Sequence, residues 1–163
     1  MNISELFEMQ KKLDQTIEKE KGIKEDATDY MITALFSEIG EALNEWRWFK
    51  IWSNDRKPRP GLLEELVDCL HFILSIGWRC GLEKYFVIPD QLPEKLDRSA
   101  MHYFIKLCNK LGDFYDLRTK WNYQRITEYY VMLVYALGFT WEQIEQAYME
   151  KNRVNYERQA NGY

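Results

Sequence analysis

Between Leu66 and Trp78 the chain reads LVDCLHFILSIGW, an almost wholly apolar run with one carboxylate, Asp68, inside it. A run of this kind demands burial on nearly every side. It is too short to span a bilayer, and it holds Asp68 and His71. It therefore reads as a buried helix of a soluble protein. A carboxylate buried without a partner costs at least several kcal/mol, so Asp68 needs a reason to be there.

The rest of the chain agrees with helix. Its 163 residues suit one domain, spanning 1–163, large enough for a real core. A hydrophobic content of 46% and an aromatic content of 15% exclude general disorder. A formal net charge of -4 speaks against a general nucleic-acid binder, though not against a small anion met together with a metal. Cys69, Cys80 and Cys108 make an odd set without a CxxC pair, which suggests reduced thiols and a cytoplasmic setting. The first residues, MNISELFEMQKKLD, are charged and amphipathic and carry no signal-peptide core.

Apolar positions recur at helical spacing almost throughout. Ile3, Leu6, Phe7, Gln10, Leu13 and Ile17 form one face of a first helix, which breaks around Gly22. Asp26 or Thr28 caps a second helix running to about Phe49, with Met31, Ala34, Leu35, Ile39, Ala42 and Trp46 as its stripe. A polar loop, Ser53 to Gly61, leads to a third helix over Leu62–Arg79. After an irregular stretch with Pro89 and Pro93, Ser99 opens a fourth helix, which Gly112 stops. A fifth spans about Trp121 to Leu137. A capping box, Thr140 with Gln143, opens a last helix to about Asn155. No repeat and no convincing strand appears. The expected class is all-α, a bundle of five to six helices.

The acids of the second and third helices share a spacing. Glu38 and Glu41 are three residues apart, as are Glu65 and Asp68, so each pair lies one turn apart on one face. Glu45 continues the first row. Four carboxylates gathered on inward faces repel one another unless a cation sits among them. Oxygen-only ligands suit Mg2+ or Mn2+. The bland alternative is a solvated face: 26 acidic residues in 163 give about four such pairs by chance. Asp68 argues against it, because its neighbours leave it little solvent. His71, three residues on, is either a neighbour bonded to a metal ligand or a satisfied core histidine.

Two further stretches carry candidate binding groups. EWRWFKIW, from Glu45 to Trp52, sets Trp46, Trp48 and Trp52 around Arg47 and Lys50, a combination that suits a base beside phosphates or simply a core with solvated cations. The end, from Tyr148 to Tyr163, is rich in Asn, Arg and Tyr, and Lys151, Asn155 and Arg158 fall on one helical face able to ligate phosphate oxygens. There is no GxxxxGK[ST] or GxGxxG, and no nucleophilic triad pattern.

Taken together, SEIGEALNEWRWFKIW, LLEELVDCLHFILSIG and KNRVNYERQANGY resemble the dimeric all-α dUTPase family, one of the MazG-like NTP pyrophosphatases, over nearly the whole chain. The ExxE…ExxD pattern is shared by the wider superfamily, and the terminal KNxxNxxRQxxGY is the more specific mark. The resemblance implies Mg2+-dependent hydrolysis of dUTP, and usually dUDP, to dUMP. It makes Glu38, Glu41, Glu65 and Asp68 metal ligands, with Glu38 or Glu41 as general base. It makes Lys151, Asn155, Arg158 and Tyr163 phosphate contacts in a closing tail at about 151–163. It sets Gln10 against the uracil, beside which the aromatic–cation reading of Trp48 and Trp52 adds two candidate base contacts. Where kinetoplastid members carry Asn-Trp after that glutamine, Leu13-Asp14 stands here. A homodimer is implied, and phage members can also bind repressor proteins. Two readings compete: a dCTP or general NTP pyrophosphatase on the same scaffold, and a non-enzymatic helical interaction module.

Overall fold

A computed structural model of the chain describes residues 2–89 and 99–160. Pro93 and Tyr163, each singled out above, lie outside the described residues. Six α-helices follow one another: α1 (Ile3–Lys21), α2 (Thr28–Trp46), α3 (Leu62–Arg79), α4 (Ala100–Asp116), α5 (Lys120–Ala136) and α6 (Trp141–Ala160). A single 3-10 turn, Glu83–Tyr85, follows α3, and no strand occurs among the described residues. The chain is all-α, as expected.

The apolar run of α3 makes it the hub. It packs against α1, α2, α5 and α6, and α4 pairs with α5 and reaches α2. Leu66, Val67, Leu70, Ile73, Leu74 and Ile76 are all buried, so α3 presents core to every side along these turns. Among the described residues no helix is long and apolar enough to cross a membrane. All three cysteines are unpaired.

Local chemistry explains the helix limits. Asn2 and Glu5 form a capping box at the start of α1. Gly22, with φ 69°, closes α1 in the left-handed region that glycine enters without strain. Asp26 accepts a bond from the Thr28 N–H at 2.9 Å where α2 begins. The Thr140–Gln143 capping box is formed, with Thr140 N–H donating to Gln143 Oε1 at 2.8 Å and Gln143 N–H to Thr140 Oγ1 at 3.3 Å.

Three ends differ from the sequence reading. Helix α2 stops at Trp46, not near Phe49, because Arg47 takes a left-handed φ of 58°. Its guanidinium donates two bonds to the Asp55 carbonyl, at 3.2 and 2.9 Å, and so holds the turn. Helix α4 runs through Gly112 to Asp116, since Phe114 carries the buried stripe of Leu107 and Leu111 onward. Helix α6 continues past Asn155 to Ala160, which puts Lys151, Asn155 and Arg158 on one rigid element.

Gly77 is a forced choice on α3. There Tyr123 of α5 comes in to donate to the Ile73 carbonyl at 3.0 Å, and Phe7 of α1 packs beside it. A side chain at position 77 has no room.

Candidate active site

Helices α2 and α3 lie along one another, so acids at matching heights on their facing sides must meet. One oxygen each from Glu38, Glu65 and Asp68 lies within 4.8 Å of the other two. All three side chains are half-buried. Burial, then the charges of Asp68, Glu41 and Glu65, push the Glu38 carboxyl up to about 7. Burial and the neighbouring acids Glu41 and Asp68 also raise Glu65, and burial raises Asp68 against the pull of Lys151. Glu41 is exposed and is not one of the converging residues, although Glu38 and Glu65 both feel its charge. Glu45 turns away to pair with Arg59 at 3.7 Å. A converging set of oxygen donors with residual mutual repulsion fits a hard divalent cation.

The repulsion has a measurable sign. In the unfolded chain Glu38 titrates near 4.5 and in the folded chain near 7, so its charge destabilises the fold above about pH 7 and the penalty fades as the pH falls toward 4.5. Burial holds His71 neutral, down to about 3, which sends its own contribution the opposite way. The difference between wild type and Glu38→Gln cancels His71. In EDTA, Glu38→Gln should melt above wild type at pH 8, and the two curves should converge by pH 5. A constant offset across that range would refute the assignment of the strain to Glu38.

Lys151 reaches this cluster from α6. Its ammonium donates to Glu64 Oε1 and Asp68 Oδ2, both at 2.7 Å, with the side chain only 15% exposed. Glu64 was not singled out from the sequence; it looks like one more exposed acid until α6 is laid across it.

Beside the acids opens a cavity of about 380 Å³. Glu38, Asp68, Lys151, Asn155 and Arg158 line one part of it. Leu13, Ile17, Met31 and Phe72 supply apolar wall, and Gln10, His71, Ser75 and Asp14 a polar one. An apolar pocket with a few fixed polar groups is the usual form of a small-molecule site.

The polar wall is a hydrogen-bond network centred on Gln10. Gln10 Nε2 donates to Asp14 Oδ1 at 2.8 Å and to Ser75 Oγ at 3.1 Å. Gln10 Oε1 meets His71 Nδ1 at 2.6 Å and accepts from the Tyr148 hydroxyl at 2.9 Å. Both donors and both lone pairs of the amide are used. Asp14 also accepts from Ser75 at 2.6 Å and from Trp78 Nε1 at 2.7 Å, and Arg79 stands 3.7 Å away. His71 stacks on Tyr148 with centroids 4.3 Å apart, and its Nδ1 partner is Gln10, not a metal acid. Trp48 and Trp52 do not line this cavity. Arg56 stacks on Trp48 at 4.5 Å, and Trp52 meets Phe49 edge-on at 6.0 Å, both in the exposed loop after α2.

A family model described as dUTPase, dUTPase_2, matches residues 2–163. The chain belongs to the dUTPase_2 family. No curated protein matches it. Membership in dUTPase_2 makes it a hydrolase of nucleotide metabolism, of dUTPase type, and gives the acid cluster, the basic face of α6 and the cavity between them one common context.

Proposed function

We propose that the chain is a divalent-cation-dependent dUTP diphosphatase that hydrolyses dUTP, and dUDP, to dUMP. One observation carries this reading: Glu38, Glu65 and Asp68 converge to within 4.8 Å at a cavity that Lys151, Asn155 and Arg158 also line. Those three acids, with Glu41 beside them, would hold Mg2+, or Mn2+ in its place. A cation held there would supply charge neutralisation for the polyphosphate and a lowered pKa for a bound water.

The chain's own groups do the rest. Glu38 or Glu41 accepts the proton of the attacking water. Lys151 exchanges Asp68 for a phosphate oxygen, and Arg158 and Asn155 bind further oxygens, with Tyr163 at the end of the same segment. The base enters the pocket of Gln10, His71 and Phe72, away from water. Because Arg158 binds the phosphates of the bound substrate and binds them more strongly as charge grows in the transition state, Arg158→Ala should raise KM and lower kcat together, each by about tenfold. Unchanged steady-state constants would remove Arg158 from the site.

The proposal extends to a homodimer. Trp48, Ile51 and Trp52 are 53%, 77% and 76% exposed, which supports a second copy covering that loop and using its tryptophans. A repressor-type partner would compete for such a surface.

The test is release of dUMP and pyrophosphate from a panel of deoxynucleoside triphosphates, with Mg2+ and with EDTA. Cleavage of dUTP far above dTTP and dCTP, lost in EDTA, is the expected result. Metal-dependent cleavage of dCTP instead would establish the sister activity, and no cleavage of any nucleotide would leave an interaction module.

A further inference from the structure

His71 is 5% exposed, and its Nε2 is buried without a hydrogen-bond partner on a residue that lines the cavity. A buried polar atom left unpaired is costly and calls for a partner that binds later. What that partner must be depends on whether Nε2 carries a proton.

The network decides it. The Asp14 carboxylate can only accept, so the end of Gln10 that meets it must be the NH2. The Gln10 oxygen is thereby turned to His71 and Tyr148. An oxygen facing Nδ1 at 2.6 Å requires Nδ1–H. The ring is neutral, because burial disfavours its charge, so Nε2 is a bare lone pair. Stacking on Tyr148 fixes the ring plane.

We propose that Asp14 is a specificity-determining residue: by orienting the Gln10 amide it holds His71 as the Nδ1–H tautomer, whose bare Nε2 accepts the N3–H of uracil and refuses the bare N3 of cytosine. Asp14 itself touches no base; it is a positioning residue acting through two hydrogen bonds. This rests on the proposed function for its substrate, but the tautomer does not. A pyrimidine bearing N3–H completes the network, whereas cytosine sets lone pair against lone pair at a desolvated contact, and sites of that kind discriminate strongly. With Asp14→Asn either end of the residue can face Gln10, and the chain of orientation is broken.

The test is nitrogen–proton NMR of the two side-chain imidazoles, His71 and His102, in the full-length chain without metal or nucleotide. His102→Gln identifies the His71 signals. The expected wild-type result is a protonated Nδ1 and a bare Nε2 at neutral pH; the Nε2–H tautomer in wild type would overturn the proposal whether or not any variant folds. Asp14→Asn is expected to mix the tautomers and, with Mg2+, to reduce the preference for dUTP over dCTP by at least about tenfold. Unchanged tautomer and unchanged preference in folded Asp14→Asn would equally overturn it. Failure of wild type to cleave any nucleotide would count against the proposed function, while the spectrum still reads the Asp14–Gln10–His71 relay directly.

Discussion

Glu38→Gln should lose turnover by about a thousandfold or more while the metal-free protein melts no lower than wild type. The loss follows, on the proposed function, from removing one of three converging carboxylates and, with it, a candidate base. Several kcal/mol of charge stabilisation in the transition state corresponds to about this factor. The retained stability follows from the same geometry. Glu38 is held up to about 7 by burial and three acidic neighbours, so an uncharged isostere relieves repulsion in the absence of a cation. Added Mg2+ should raise the melting temperature of wild type and do little for the variant, because only binding to the folded state stabilises it. Dissociation between activity and stability is the diagnostic: a folded Glu38→Gln protein within tenfold of wild-type turnover would dismiss the acid cluster as the reaction centre. A variant that loses both activity and fold would show instead that Glu38 is structural.

Gly77→Ala should cost about 3 kcal/mol or more of stability, with no direct effect on the acids. A Cβ there would lie 2.8 Å from Phe7 Cε1 and 2.7 Å from Tyr123 Cζ, and closer still to the Tyr123 hydroxyl. Overpacking a tight core typically costs about 1–3 kcal/mol. Expelling the Tyr123 ring also breaks its bond to the Ile73 carbonyl, worth about 1 kcal/mol and more when the donor stays buried. Gly112→Ala on α4 is the control, because a Cβ there meets nothing within 4 Å. It should stabilise by about 0.5–1 kcal/mol through helix propensity. Urea unfolding of the pair measures both, and equal midpoints would show that the α1–α3–α5 contact is softer than its geometry.

Much of this was legible in the sequence, for identifiable reasons. The stripes of α1, α2 and α3 gave the bundle because an apolar face at helical spacing has few other uses. Glu38, Glu65 and Asp68 were legible because the (i, i+3) spacing places acids on one side, and Asp68 because its neighbours are core. The end of α2 was not legible, since a left-handed Arg47 depends on a bond to Asp55, eight residues on. The stop expected at Gly112 failed because burial of Phe114 outweighs the preference of one glycine. The network of Asp14, Gln10, Ser75, His71 and Tyr148 was hidden because its members are up to 138 residues apart. Each looks ordinary on its own helix, and only packing of α1, α3 and α6 brings them together.

Helix α6 has one more consequence. Tyr148 stands against Gln10 and His71, two residues that line the cavity, while Lys151 meets Asp68 and, with Arg158, lines the same cavity. At a rise of 1.5 Å per residue, Tyr148 and Arg158 are separated by about 15 Å along a rigid rod. The helix is therefore a ruler, with its zero at the ring pocket and its graduations at the cations. On the function proposed above, a ligand would be gauged by length as well as by chemistry, since a charged tail of the wrong reach would find no cation opposite it. Inserting one residue between Tyr148 and Lys151 would turn every later graduation by about 100°, leaving the zero in place and carrying the cations off the cavity.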